Sequence, residues 1–153
     1  MKIEIYGVVC VTVTFCGQRS LCFSRKTEYR FEQVITELAE KGASRFLLGG
    51  YGDFDVFAAQ KVYGLKKFFP HICMVLVIPY LGRKRWGDCY DEIICIETEP
   101  MSPRHLIKKR NEYMIENSDV LVTYSEDDFG EETRMIRYAE DLNKQVINLA
   151  ENI

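Results

Sequence analysis

Residues Leu47 to Val62 read LLGGYGDFDVFAAQKV. An apolar run breaks at Gly49, Gly50 and Gly52, two aspartates follow, and apolar residues return at helical spacing, with Phe57, Ala58, Val62 and Leu65 on one side. Strand, glycine loop and helix, in that order, form the repeating unit of a parallel α/β sheet. The chain on either side repeats it. Toward the C-terminus the helix ends near Phe68, before Pro70, and Ile72–Ile78 (ICMVLVI) is a continuous apolar run of strand length, as expected for a parallel strand covered on both faces. Toward the N-terminus, Arg45–Leu48 is the strand that feeds the loop. Residues 27–41 form a helix with Phe31, Val34, Ile35 and Leu38 on one stripe and Gly42 as its stop, and Val8–Phe15 forms a first strand.

The remainder continues the alternation: a weaker strand at Asp91–Ile96, a helix at Arg104–Asn117, a strand at Val120–Tyr124, a helix at Glu131–Lys144 and a short strand at Gln145–Leu149. Right-handed crossovers then give one Rossmann-like, three-layer α/β domain over residues 1–153, with a mainly parallel sheet of five to six strands. No linker or low-complexity segment divides the chain.

Composition narrows the function classes. Apolar residues make up 47% and charged residues 28%, and the net charge is −3, so no strongly basic field marks a nucleic-acid binder. The apolar N-terminus is interrupted by Glu4, lacks a small-x-small cleavage site, and alternates like a strand from Val11, which argues against a signal peptide. No apolar stretch approaches the roughly 20 residues that span a bilayer. Six cysteines without a CxxC pair suggest reduced thiols and a cytoplasmic protein, and with two histidines no histidine-based metal site is expected. Neither a metal nor a bound cofactor is predicted.

In such sheets ligands bind beyond the carboxyl ends of the strands, so the informative loops are residues 16–25, 49–55, 79–90, 97–104 and 125–131. In the first, Gly17 permits a tight turn and Arg19 offers forked donors for a phosphate. In the second, Gly49, Gly50 and Gly52 fit neither the dinucleotide fingerprint nor a P-loop. The glycines let a ligand approach the backbone, Asp53 can cap the following helix, and Asp55 is left to accept hydrogen bonds from a ribose diol. Both aspartates could equally decorate the helix start. In the third loop, Trp86 beside Arg83, Lys84 and Arg85 could stack on a base or cover the sheet edge. In the helix from Arg104, Ile107, Arg110 and Met114 fall at i, i+3 and i+7, placing a charge on an apolar stripe where it must be paired or face a cleft. Asn111 adds donor and acceptor capacity. The last loop, Ser125–Glu132, is acidic and a poor phosphate cradle.

FCGQR, GGYGDFDVFAAQKV, the VIPY strand end and IKKRNEYMIENSDVLVTY, in this order and spacing, resemble the SLOG superfamily over residues 10–150, and most of all its small YpsA-like branch. That superfamily unites the DNA-processing protein DprA with the LOG phosphoribohydrolases. The resemblance implies a Rossmann-like fold and a pocket for nucleotides or relatives such as ADP-ribose. Gly17 and Arg19 match the branch's first-loop Gly-x-Arg; Gly49, Gly50, Gly52 and Asp55 match its Gly-Gly-x-Gly-x-x-Asp; Arg110 and Met114 match the Arg-x-x-x-Met helix of LOG enzymes. Where LOG enzymes carry Pro-Gly-Gly-x-Gly-Thr-x-x-Glu, this chain has SEDDFGEET, lacking the proline, the glycine pair and the threonine.

The reading that follows is a binding module that senses or sequesters a nucleotide-derived small molecule. An N-glycosidase resembling the phosphoribohydrolases is the alternative, with Asp55, Arg110 and Glu132 as catalytic candidates; DprA-like binding of single-stranded DNA is a third. No membrane partner is expected, and a homo-oligomer remains open.

Overall fold

In the computed structural model, residues 10–17, 23–50, 52–81, 87–96, 102–126 and 130–151 are described. Among these residues six strands and four helices follow one another as β1 (Val11–Gly17), α1 (Arg25–Glu40), β2 (Ala43–Leu48), α2 (Gly52–Leu65), β3 (Cys73–Ile78), β4 (Glu92–Cys95), α3 (Pro103–Glu116), β5 (Val120–Tyr124), α4 (Glu131–Asp141) and β6 (Gln145–Asn148). The strands form one sheet in the order β4-β3-β2-β1-β5-β6, and every neighbouring pair is parallel. This is a single Rossmann-like α/β domain.

Alternation along β1 explains the layers. Val11, Val13 and Phe15 point to one face, where they meet Phe31 and Ile35 of α1 and Phe54, Ala58 and Val62 of α2. Leu47, Val75 and Val77 on the other face pack on Met114 of α3, and Leu121 packs on Met135 and Ala139 of α4. The α1/α2 layer is aromatic: Phe15 lies 5.7 Å from Phe31 between ring centroids, Phe31 4.9 Å from Phe57, and Phe57 4.4 Å from Phe23. Inner strand β3 is covered on both sides, and Met74 through Ile78 are all buried, which is why that segment reads as an unbroken apolar run.

Local chemistry sets the ends of the elements. Ser24 caps α1 by accepting from the Thr27 N–H at 3.1 Å, and Ser102 caps α3, with Pro103 in its first turn. Strand β1 starts at Val11 and runs two residues past the expected Phe15, because the ladder to β5 continues to the pair Gly17 and Tyr124. Helix α4 stops at Asp141, short of the expected Lys144. Asn143 there takes the left-handed conformation (φ 60°) and the Lys144 N–H returns to the Ala139 carbonyl at 2.9 Å. Between β3 and β4 no helix occurs among the described residues. Asp91 instead ties that connection back, accepting from the Met74 N–H at 2.8 Å and from Lys66.

Candidate functional site

Strand order reverses at β1: the chain moves outward through β2, β3 and β4, then returns to place β5 on the other side of β1. The carboxyl ends of β1 and its neighbours are therefore the switch point, where loops diverge to opposite faces and leave a crevice. A cavity of about 200 Å³ sits there. Phe15, Cys16 and Gly17 of β1 and Gly49 after β2 form its floor. The first turn of α2 contributes Asp55, α3 contributes Ile107, Arg110, Asn111 and Met114, and the start of α4 contributes Glu131 and Glu132.

Arg110 is only 4% exposed, on the same helical face as the buried Leu106 and Met114. A guanidinium at that depth requires partners. Its Nη1 donates to the Gly49 carbonyl at 2.8 Å, and its Nε donates to Asn111 Oδ1 at 2.8 Å. Gly49 leaves room for two charged groups. A β-carbon there would lie 2.8 Å from Arg110 Nη1 and 2.9 Å from Asp55 Oδ2, so an acid and a base from two different helices converge on the space a side chain would fill.

Gly17 serves a similar purpose on the opposite face of β1. A β-carbon on it would come within 2.3 Å of the Phe54 ring, so this glycine makes room for a buried aromatic as well as lining the cavity. Gly50 (φ 74°) and Gly52 (φ 81°) turn the chain from β2 into α2 through the left-handed region. Asp53 lies inside the first turn of α2 rather than at a cap position preceding it, is exposed, and is not among the cavity residues; Asp55, two positions on, is turned inward. Arg19 and Trp86 lie outside the described residues.

The electrostatics are mixed, with one guanidinium facing the carboxylates of Asp55, Glu131 and Glu132. Burial, reinforced by the charges of Asp55, Glu132 and Glu131, pushes the Cys16 thiol far above its ordinary range. It stays protonated, a small polarizable wall rather than a nucleophile. Tyr90 is likewise pushed up to about 12, mainly by burial. No group of three or more His, Cys, Asp or Glu side chains among the described residues is arranged to hold a metal ion. No helix among them is long and apolar enough to cross a membrane. Sequence reasoning passed over Phe15 and Cys16 as lining residues, because strand alternation assigns a side chain to a face and does not say what lies above it.

A parallel sheet of this order, with a polar cavity at its switch point, defines a Rossmann-like α/β protein. No family model matches the chain. The UPF0398 protein of Halalkalibacterium halodurans is 30% identical over 142 residues, covering 84% of this chain and 74% of that relative. A UPF0398 protein of Lysinibacillus sphaericus is 27% identical over 122 residues, covering 71% and 68%. The chain belongs to the UPF0398 family, the YpsA-like branch of the SLOG superfamily.

Solved structures agree on the fold. Helicobacter pylori DNA processing protein A, described for its single-stranded DNA binding mode, superposes with a TM-score of 0.66 at 18% identity; the match covers 90% of this chain, which spans 64% of the length of that one. The molybdenum cofactor carrier protein of Chlamydomonas reinhardtii gives 0.59 at 18% identity, covering 93% and 77%. The molybdenum cofactor binding protein of Rippkaea orientalis gives 0.59 at 16%, covering 90% and 75%.

Proposed function

We propose that this protein is a binding module for a nucleotide-derived small molecule, held at the carboxyl ends of β1 and β2. The observation that carries the reading is Arg110, a buried guanidinium that lines a switch-point cavity beside the Asp55 carboxylate. Asp55 is suited to accept from the two hydroxyls of a ribose, and Arg110 and Asn111 to donate to and accept from polar groups next to it. With Asp55, Glu131 and Glu132 lining the same cavity as Arg110, the interior is a poor seat for several phosphates, so the end of the ligand that enters is its uncharged, hydroxyl-rich part. The fold neighbours are named for single-stranded DNA and for molybdenum cofactor. The fold therefore serves ligands of different chemistry, and the choice among them rests on the residues of this cavity.

Thermal-shift titration with nucleoside monophosphates, NAD and ADP-ribose tests the reading, since a ligand at a hundredfold its Kd adds roughly 2.7 kcal/mol to the native state. Stabilisation that is lost in Asp55→Asn supports it; no shift at millimolar concentration of any of them overturns it.

One observation favours a second reading, hydrolysis of an N-glycosidic bond. Asp55, Glu131 and Glu132 face the same cavity, and such a reaction needs a carboxylate to stabilise a developing ribosyl cation or to position water. Chromatographic detection of released base, abolished in Asp55→Asn or Glu132→Gln, would turn the binding module into an enzyme.

A further inference from the structure

The cavity does not end at Glu131. Between the N-terminal halves of α3 and α4 a wider groove of about 750 Å³ is lined by Arg104, His105, Ile107, Lys108, Glu131 and Arg134. Ile107 and Glu131 line both hollows, so the groove adjoins the cavity. The two compartments differ in charge. Inside, Asp55 and Glu132 share the space with Arg110; outside, three permanent cations and an imidazole meet one carboxylate, that of Glu131, which lies on the border of the two.

These cations are weakly neutralised by the protein. Arg134 pairs with Glu131, but Lys108 reaches Glu112 only at 3.9 Å, the far end of ion-pair range, with half its side chain exposed. The first turn of α3 holds no acidic residue, whereas α1, α2 and α4 each carry one or more there. Arg104 and His105 thus stand at the positive end of a helix, where cations repel the helix dipole as well as each other. His105 Nδ1 is engaged by the Ser102 hydroxyl at 2.7 Å, which leaves Nε2 as the ring nitrogen for another partner. An anion in this groove relieves the repulsion, and exposed arginine and lysine side chains can close on it.

We propose that the groove is the phosphate subsite of the pocket, and that the ligand class is a nucleoside phosphate, its ribosyl end in the inner cavity and its phosphate between Arg104, Lys108 and Arg134. The proposal rests on the small-molecule reading above and adds to it a direction for the ligand. It also reconciles an acidic interior with an anionic ligand, because Asp55 and Glu132 lie in the inner cavity, and the one carboxylate lining the groove, Glu131, is paired with Arg134.

Calorimetric titration of the full chain with adenosine and its 5′-monophosphate, run beside the guanine, cytosine and uracil pairs, tests it. The monophosphate of the favoured base is expected to bind about tenfold more tightly than its nucleoside, the increment of one charge-assisted hydrogen bond. Arg104→Gln combined with Lys108→Gln removes that advantage and leaves nucleoside binding as it was. Inorganic phosphate is expected to move the ring resonances of His105 and leave those of His71, which precedes β3 at the opposite edge of the sheet, in place. If a nucleoside binds but its phosphate adds nothing, or if the double variant weakens nucleoside and nucleotide alike, the subsite is overturned and the small-molecule reading stands. If neither binds, the subsite is overturned, and the small-molecule reading falls with it only when NAD and ADP-ribose also fail to stabilise the chain.

Discussion

Gly49, Asp55 and Arg110 behave as one unit. The space next to the Gly49 α-carbon is occupied by two charged groups from separate helices, so Gly49→Ala forces both to move. It is expected to cost about 1–3 kcal/mol, the usual toll of overpacking, measured by urea denaturation, and to abolish ligand-induced stabilisation. Arg110→Met removes the donors to the Gly49 carbonyl and to Asn111 and is expected to cost roughly 1.5–3 kcal/mol in the same measurement. Arg110→Lys does not restore it, because one ammonium cannot reproduce the forked geometry. The importance of Arg110 was legible in the sequence: a charge at i+3 between Ile107 and Met114 violates the pattern of a solvated face. The reason for Gly17 was not. A glycine that admits a ligand and one that admits the Phe54 ring read identically, and the ring comes from a residue 37 positions away.

Among the elements, β5 carries a defect. Thr123 pairs in register with Cys16 near the centre of the sheet, is wholly buried, and its hydroxyl has no hydrogen-bond partner among the described residues. Thr123→Val keeps the shape and removes the unmet polar group; it is expected to raise the unfolding free energy by about 1 kcal/mol in denaturant titrations. The β3–β4 connection adds a pH dependence. Hydrogen bonds from Lys66 and then from the Met74 N–H hold the Asp91 carboxyl below the usual carboxylate range. Because its folded value is depressed, its contribution is present above the ordinary carboxylate pKa of about 4 and is lost as pH falls through the lower folded value. The urea midpoint of the native chain should fall over that acid range, and Asp91→Asn should flatten the fall. The strand type of β3 was legible from its unbroken apolar run, as were the four helices from their spacing. The direct passage from β3 to β4 was legible as well, since residues 79–90 read as a loop between two strands, and no helix occurs there among the described residues.

For the whole molecule, the outermost strands β4 and β6 have four residues each, against five to seven for the inner ones, and Ile93 of β4 is half exposed. Hydrogen-exchange mass spectrometry should find the amides of β1, β2, β3 and β5 slowest and those of β4 and β6 faster. Protection of β4 equal to that of β1 would contradict this order and mean that its edge is covered in solution. The basic groove was invisible in the sequence at this scale, because Arg104 and Arg134 become neighbours only when α3 packs on α4. Reversal of strand order at β1 has a consequence in time as well as in space. As the chain emerges during synthesis, Gly49 and Asp55 appear long before Arg110, and Glu131 comes last, so the nascent protein passes through a stage with an acidic corner and no guanidinium to face it. A ligand of the proposed pocket would therefore stabilise the chain only once α3 and α4 are in place, and would act on a late step of folding rather than on the first.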